Sequence, residues 1–238
     1  MRLLAVETST LTGAVALVAG DTVVADHRLN IALTHSERLL GAVDHLLTLA
    51  GWRLAEVETL AVAVGPGSFT GLRIGVSTMK SLAFATGIPL VGIPTLDALA
   101  WSLPFAAHPI CPILDAKKGE VYTALYRTDA GRLERRWEYQ ALAPAALGEA
   151  LGREVGGPVI FVGDAVASCG AVLRGIMGGD ARLAPPGHRL PSAVSVAELA
   201  RAARERGEQA DPASLVPIYV RRSEAELGRE RQRVGHPH

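Results

Sequence analysis

Apolar positions in the first thirty residues come in short runs broken by small polar residues. Leu3 to Val6, Gly13 to Val18 and Val23 to Arg28 read as three strands, with Thr10 to Gly13 and Gly20-Asp21 as the turns between them. From Ser36 to Ala50 the period becomes helical. Leu39, Val43, Leu46 and Ala50 mark one face, and Leu40, Leu47 and Leu49 widen it beyond what one buried face needs. Ser36 is a suitable N-cap and Gly51 a suitable stop. Thr59 to Val64 is a β-branched apolar run of the kind found in strands buried on both faces. A glycine-rich segment leads into a second helix, Thr70 to Thr86, which Gly87-Ile88-Pro89 ends. Leu90 to Ile93 is a further strand, and Thr95 caps a helix reaching about Trp101.

After Pro104 and Pro109 the order starts again. Ile110 to Leu114, Val121 to Tyr126 and Arg135 to Gln140 read as strands, followed by a helix at Pro144 to Leu151, a strand at Val159 to Val162, and helices at Ala165 to Arg174 and Val194 to Arg206. AVETSTLTGAVALV and ILDAKKGEVYTALY each give a strand, a polar turn led by a carboxylate, and a strand. Antiparallel strands followed by αβ units, occurring twice, predict an α/β protein with the duplicated ribonuclease-H-like fold of the actin-like class, two lobes each with a mixed sheet flanked by helices. The expected division is residues 1–103 for the first lobe, 104–220 for the second and 221–238 for a charged tail.

Composition narrows this picture. With 49% hydrophobic and 20% charged residues, the chain of 238 can bury a sizeable core. Lys+Arg and Asp+Glu are both 24, so the basic excess expected of a protein that grips nucleic acid alone is missing, although Arg221, Arg222, Arg229, Arg231 and Arg233 crowd the tail among Glu224, Glu226 and Glu230. Two cysteines, Cys111 and Cys169, make no metal or disulfide pattern and fit a reducing compartment. The N-terminus lacks a signal-peptide pattern and no apolar run is long enough to span a bilayer, so a cytoplasmic location is expected.

The segment Gly65-Pro-Gly-Ser-Phe-Thr-Gly-Leu-Arg-Ile-Gly75 lies between strand and helix, the context of a phosphate cradle. Its residues are wrong for one: Leu72 and Arg73 follow Gly71 where a Walker loop needs Lys then Ser or Thr, and the spacing misses the dinucleotide fingerprint. The helix it opens is apolar nearly all round, with Gly71, Gly75 and Thr78 close to one stripe; one side must cover a sheet, and the other meets either a neighbouring helix or a partner subunit. Glu7, Thr8 and Ser9 form the first turn, readable as a hydroxyl-rich hairpin turn or as a weak nucleotide contact. His35 has Leu39 at i+4, so no helix-borne metal pair exists there, and no catalytic constellation stands out.

HSERLL, AVAVGPGSFTGLRIGVSTMKSLAFATGIPLVGIPTLDALA and DAKKGEVYTALY resemble the TsaB family, bacterial partner proteins of the tRNA threonylcarbamoyladenosine machinery; later in the chain FVGDA and LVPIYVRR add short matches. The resemblance implies a non-catalytic subunit that pairs with a homologous transferase, TsaD, which places a threonylcarbamoyl group on N6 of adenosine 37 in tRNA. An ATPase, TsaE, joins that pair, and tRNA is held mainly by the partners. It implies pairing through the first two helices. Candidate contacts are His35, Arg38, Leu39, Ala42, Val43 and Leu46 on the first, and Gly71, Ile74, Gly75, Thr78, Met79 and Leu82 on the second. It implies no tightly bound cofactor and no metal, with ATP or ADP only inside the complex, and a homodimer when alone. Glu7 stands where relatives more often carry Asp. The rival expectation is an actin-like-fold enzyme, a nucleotide-dependent transferase, with its own active site.

Overall fold

A computed structural model describes residues 1–29 and 36–220. The first lobe is a sheet of β1 (Arg2–Glu7), β2 (Gly13–Ala19), β3 (Thr22–Leu29), β4 (Thr59–Gly65) and β5 (Leu90–Pro94). The strands lie in the order β3-β2-β1-β4-β5. β1 runs antiparallel to β2, pairing Leu4 with Leu17, and parallel to β4, pairing Val6 with Val62. Helices cover both faces, which is why these strands read as continuous apolar runs. Alternate residues separate the two faces. Leu4, Val6, Leu17, Leu60 and Val62 point to α1 (Ser36–Ala50) and α2 (Phe69–Thr86). Leu3, Ala5, Ala14, Ala16, Ala61 and Ala63 point the other way.

That second face is covered from far along the chain. α6 (Ala193–Glu205) lays Ala193, Ala197, Ala200 and Ala203 on it beside Ala98 of α3 (Thr95–Trp101). Alanine against alanine lets the helix lie close to the sheet. Beyond α6, Ala210 N donates to Leu90 O at 2.8 Å and Ile218 N to Val64 O at 2.7 Å. The expected second lobe, 104–220, therefore needs correction: residues 193–218 pack on the first sheet, because a helix with a small-residue face fits the alanine side of that sheet.

The second sheet joins β6 (Ile110–Asp115), β7 (Val121–Thr123), β10 (Gln140–Leu142), β11 (Val159–Val162) and β12 (Ala181–Leu183) in the order β10-β7-β6-β11-β12, with β8 (Tyr126–Asp129) on β6 and β9 (Arg132–Arg135) on β8. α4 (Pro144–Glu154) and α5 (Val166–Met177) cover one face through Leu147, Leu151, Val166 and Leu173. Two expected strands differ. The run Val121 to Tyr126 breaks at Ala124-Leu125, where Leu125 O accepts from Arg136 N and Trp137 N, and the stretch between Arg135 and Gln140 forms that irregular turn rather than a strand.

The lobes meet at α3. Leu96 and Leu99 pack with Ile110, Leu114 and Tyr126. Asp97 Oδ1 accepts from Tyr126 Oη at 2.6 Å and Tyr139 Oη at 2.7 Å. Thr95 does not cap α3; its hydroxyl accepts from Gly65 N at 3.2 Å and ties the helix to the glycine segment.

Candidate functional site

β1 delivers Glu7 to the end of the first sheet, and the chain turns at once through Thr8 and Ser9. All three are buried. Glu7 Oε1 accepts from Ser9 N, while Glu7 Oε2, Thr8 Oγ1 and Ser9 Oγ are enclosed without a hydrogen-bond partner. Burial disfavours the charged form, and the Ser9 hydrogen bonds offset only part of that. The Asp164 charge adds to it, and the carboxyl is pushed up to about 7. Asp164 stands just past β11, and its own pKa is raised, first by burial. Its Oδ1 accepts from Asp115 N at 3.0 Å. Lys117 Nζ lies 2.6 Å from Asp115 Oδ2. Glu7 and Asp164, one from each sheet's end, thus place two carboxyls of raised pKa within electrostatic reach of each other.

The glycine segment closes over this turn. Ser68 N donates to Ser9 O at 2.6 Å, and Ser68 Oγ caps α2 by accepting from Gly71 N at 3.3 Å. A methyl group on Gly67 would collide with Ser9 O, one on Gly71 with Thr8 O, and one on Gly75 with Thr8 Oγ1. The glycines let α2 approach the first turn closely.

This geometry corrects the expected contact face. Gly71, Gly75 and Thr78 are buried in the chain itself, and the two glycines sit against Thr8. Leu39, Ala42, Val43 and Leu46 face the first sheet with Met79, and Ile74 and Leu82 are half-buried against the same cluster. Their apolar character serves the internal core. His35 lies outside the described residues, and so does the side chain of Arg38. What α1 and α2 do present outward includes Leu40 (45% exposed), Leu49 (71%), Phe69 (41%) and Phe84 (64%), among Asp44, His45, Thr48, Arg73, Ser77 and Ser81. The widened stripe of α1 signals Leu40 and Leu49. Phe84 belongs to a helix with almost no polar face, so its side of that helix is not readable from the pattern. No local pattern marks Asp164. Among the described residues no cluster of three or more His, Cys, Asp or Glu side chains could hold a metal, and no helix is long and apolar enough to cross a membrane.

Comparison with known proteins agrees with the fold and its motifs. Residues 30–228 match the model of the family described as TsaD, tRNA N6-adenosine threonylcarbamoyltransferase. The tRNA threonylcarbamoyladenosine biosynthesis protein TsaB of Bacillus subtilis is 35% identical over 95% of this chain and 96% of its own length. The solved structure of YeaZ from Pseudomonas aeruginosa superposes with a TM-score of 0.77 at 30% identity, covering 92% of this chain and 99% of that one. A ROK hexokinase from Thermus thermophilus shares the fold alone, with a TM-score of 0.52 at 12% identity over 84% of this chain and all of its own. The two lobes are therefore of the actin-like class, and the chain belongs to the TsaB family of tRNA threonylcarbamoyladenosine biosynthesis proteins.

Proposed function

We propose that this chain is a non-catalytic scaffold subunit that binds and activates a TsaD homologue and recruits a TsaE ATPase for N6-threonylcarbamoylation of adenosine 37 in tRNA. One observation carries the reading: α1 and α2 still expose Leu40, Leu49 and Phe84 after their buried faces have been used on the sheet. Large apolar side chains left exposed on two adjacent helices suit a partner's helices. Helices of 15 and 18 residues, about 22 and 27 Å long at about 1.5 Å per residue, can supply half of a four-helix interface of standard size, ~1,600 Å².

The first turn supports the non-catalytic part. Ser9 N is already taken by Glu7, Ser68 N by Ser9 O, and Gly71 and Gly75 press on Thr8, so the backbone donors of a phosphate cradle are committed internally. ATP or ADP then belongs to the assembled complex, and a homodimer through the same helices is the resting state. A sizing column tests the reading directly. The purified chain and a TsaD homologue, both folded, should co-elute as a heterodimer at micromolar concentration; separate elution would sink it.

The rival is an actin-like-fold transferase with its own site. The buried Glu7, with its raised pKa and Asp164 nearby, favours it, since such groups gather at active sites. Calorimetry separates the two: heat on adding Mg-ATP to the isolated chain supports the rival, and its absence supports the scaffold.

A further inference from the structure

The chain crosses between the lobes twice: through α3 and the residues that follow it into β6, and from β12 to α6 over residues 184–192. The crossings lie together, since Ala184 packs in one cluster with Leu96, Leu99 and Ala100 of α3. Two adjacent crossings make a hinge, and the leucine and alanine contacts around it have no direction, so they oppose separation more than rotation. α3 itself is tied to the first lobe. The Thr95 hydroxyl accepts from Gly65 N, and Trp101 Nε1 donates to Glu198 Oε2 of α6 at 2.7 Å. From that anchored helix Asp97 reaches two residues of the second lobe, 29 and 42 positions further along. Tyr126 starts β8 and Tyr139 immediately precedes β10. Both phenols donate to the same oxygen, Asp97 Oδ1, at 2.6 and 2.7 Å. Burial, and after it the Asp97 charge, push both phenols above the usual tyrosine range, so they remain protonated donors. The Arg135 guanidinium lies 4.3 Å over the Tyr139 ring, and its exposed partner Glu138 stands 3.2 Å from it.

We propose that Asp97 is a latch: its two phenol bonds fix the angle between the lobes, and their release lets the second lobe swing about the paired crossings. Adhesion alone does not require a carboxylate there. Well-packed apolar groups in place of a buried charged contact often leave stability unchanged. What the carboxylate adds is direction, because a hydrogen bond weakens steeply as its angle departs from linear, whereas an apolar contact slides. Two donors from separate strands meeting on one oxygen define a single lobe angle. With the latch closed the chain is one rigid body, and a partner seated on the first lobe meets the second at a set position. Neither the latch residues nor their test depend on the scaffold reading.

The test is the distance between lobes, read by double electron–electron resonance. Spin labels go on Asp44→Cys of α1 and Glu149→Cys of α4, both exposed positions, in a Cys169→Ser background that leaves only the buried Cys111. Tyr126→Phe/Tyr139→Phe removes the two hydroxyls and keeps the rings. Asp97→Leu/Tyr126→Phe/Tyr139→Phe makes the whole contact apolar, so that no charge is stranded and folding is protected. The labelled parent should give one narrow distance. Both variants should lose that single peak to a broad distribution or a second distance, and the triple variant should do so while melting close to the parent. Tyr139→Phe alone, at a half-buried position, should broaden the peak less. If the double variant does not fold, the triple and single variants decide. The parent's narrow peak in every folded variant would overturn the proposal, since packing alone would then set the angle. A broad distribution in the parent would overturn it equally, since the lobes would swing with the phenols in place.

Discussion

The two halves of the chain put a carboxylate at the same point, the end of the strand that opens a hairpin, and treat it in opposite ways. Glu7 is buried under the glycine segment and has one oxygen without a partner. Asp115 is exposed and held by Lys117. The difference originates in the loop that leaves the neighbouring parallel strand. After β4, three glycines bring a long helix down on the turn. After β11, Gly163 approaches Ile113 O, but the next residue, Asp164, turns its carboxylate to Asp115 N and leaves the hairpin tip open. One backbone plan, repeated, yields a closed turn in one lobe and an open one in the other.

Closing the first turn should be the most costly feature to disturb. Gly71→Ala puts a methyl group onto a backbone carbonyl that cannot rotate away, and a loss of ~3 kcal/mol or more, the upper end for overpacking, is expected in thermal or urea unfolding. Gly75→Leu should likewise lower the stability of the isolated chain, through Thr8, instead of only holding a partner's helix apart.

Next in size is the charge of Glu7. Its folded pKa is raised from 4.5 to about 7, so the folded state binds the proton more tightly than the unfolded chain. Stability from this group is greatest below the unfolded value, falls as pH rises from 4.5 to about 7, and stays at its lower level above that. Glu7→Gln keeps an acceptor for Ser9 N and removes the charge. It should raise stability at pH 8 by at most about 3 kcal/mol and flatten the pH dependence in that window, read from denaturant melts across pH. The matching change in the second half, Asp115→Asn, removes an exposed pair and should cost under about 1 kcal/mol. Smallest is Gly152→Ala in α4, where a methyl group meets open space; a gain of ~0.5–1 kcal/mol would show that a helical glycine is costly unless a close approach requires it.

Much of the first lobe is legible from periodicity: the strands around β1 and β4 and the extents of α1 and α2 come from apolar runs and glycine stops that local sterics enforce. The inward face of α2 is not. A helix apolar on nearly every side gives no sign of which side meets the sheet, so Gly71 and Gly75 read as contacts for a partner, whereas Thr8 occupies the space against them. The return of α6 is hidden for a related reason. Its alanine face fits any alanine surface, and that of β1, β2 and β4 is visible only once the sheet is assembled. Glu7 is readable as a residue at a turn but not as a buried one, because its burial depends on a loop nearly sixty positions away, brought over it by the pairing of β1 with β4.

The contrast between the halves also supplies the sharpest test of the proposed docking surface, since each half has helices with exposed apolar side chains: Leu49 and Phe84 on α1 and α2, Val172 and Ile176 on α5. Calorimetric titration of a TsaD homologue into Leu49→Asp/Phe84→Asp and into Val172→Asp/Ile176→Asp compares the two directly. A docking surface on α1 and α2 predicts a Kd weakened about 30-fold or more for the first pair, as for loss of a binding hot spot of about 2 kcal/mol, with the second pair binding as the parent does. Equal affinity for both, with both proteins folded, would contradict it.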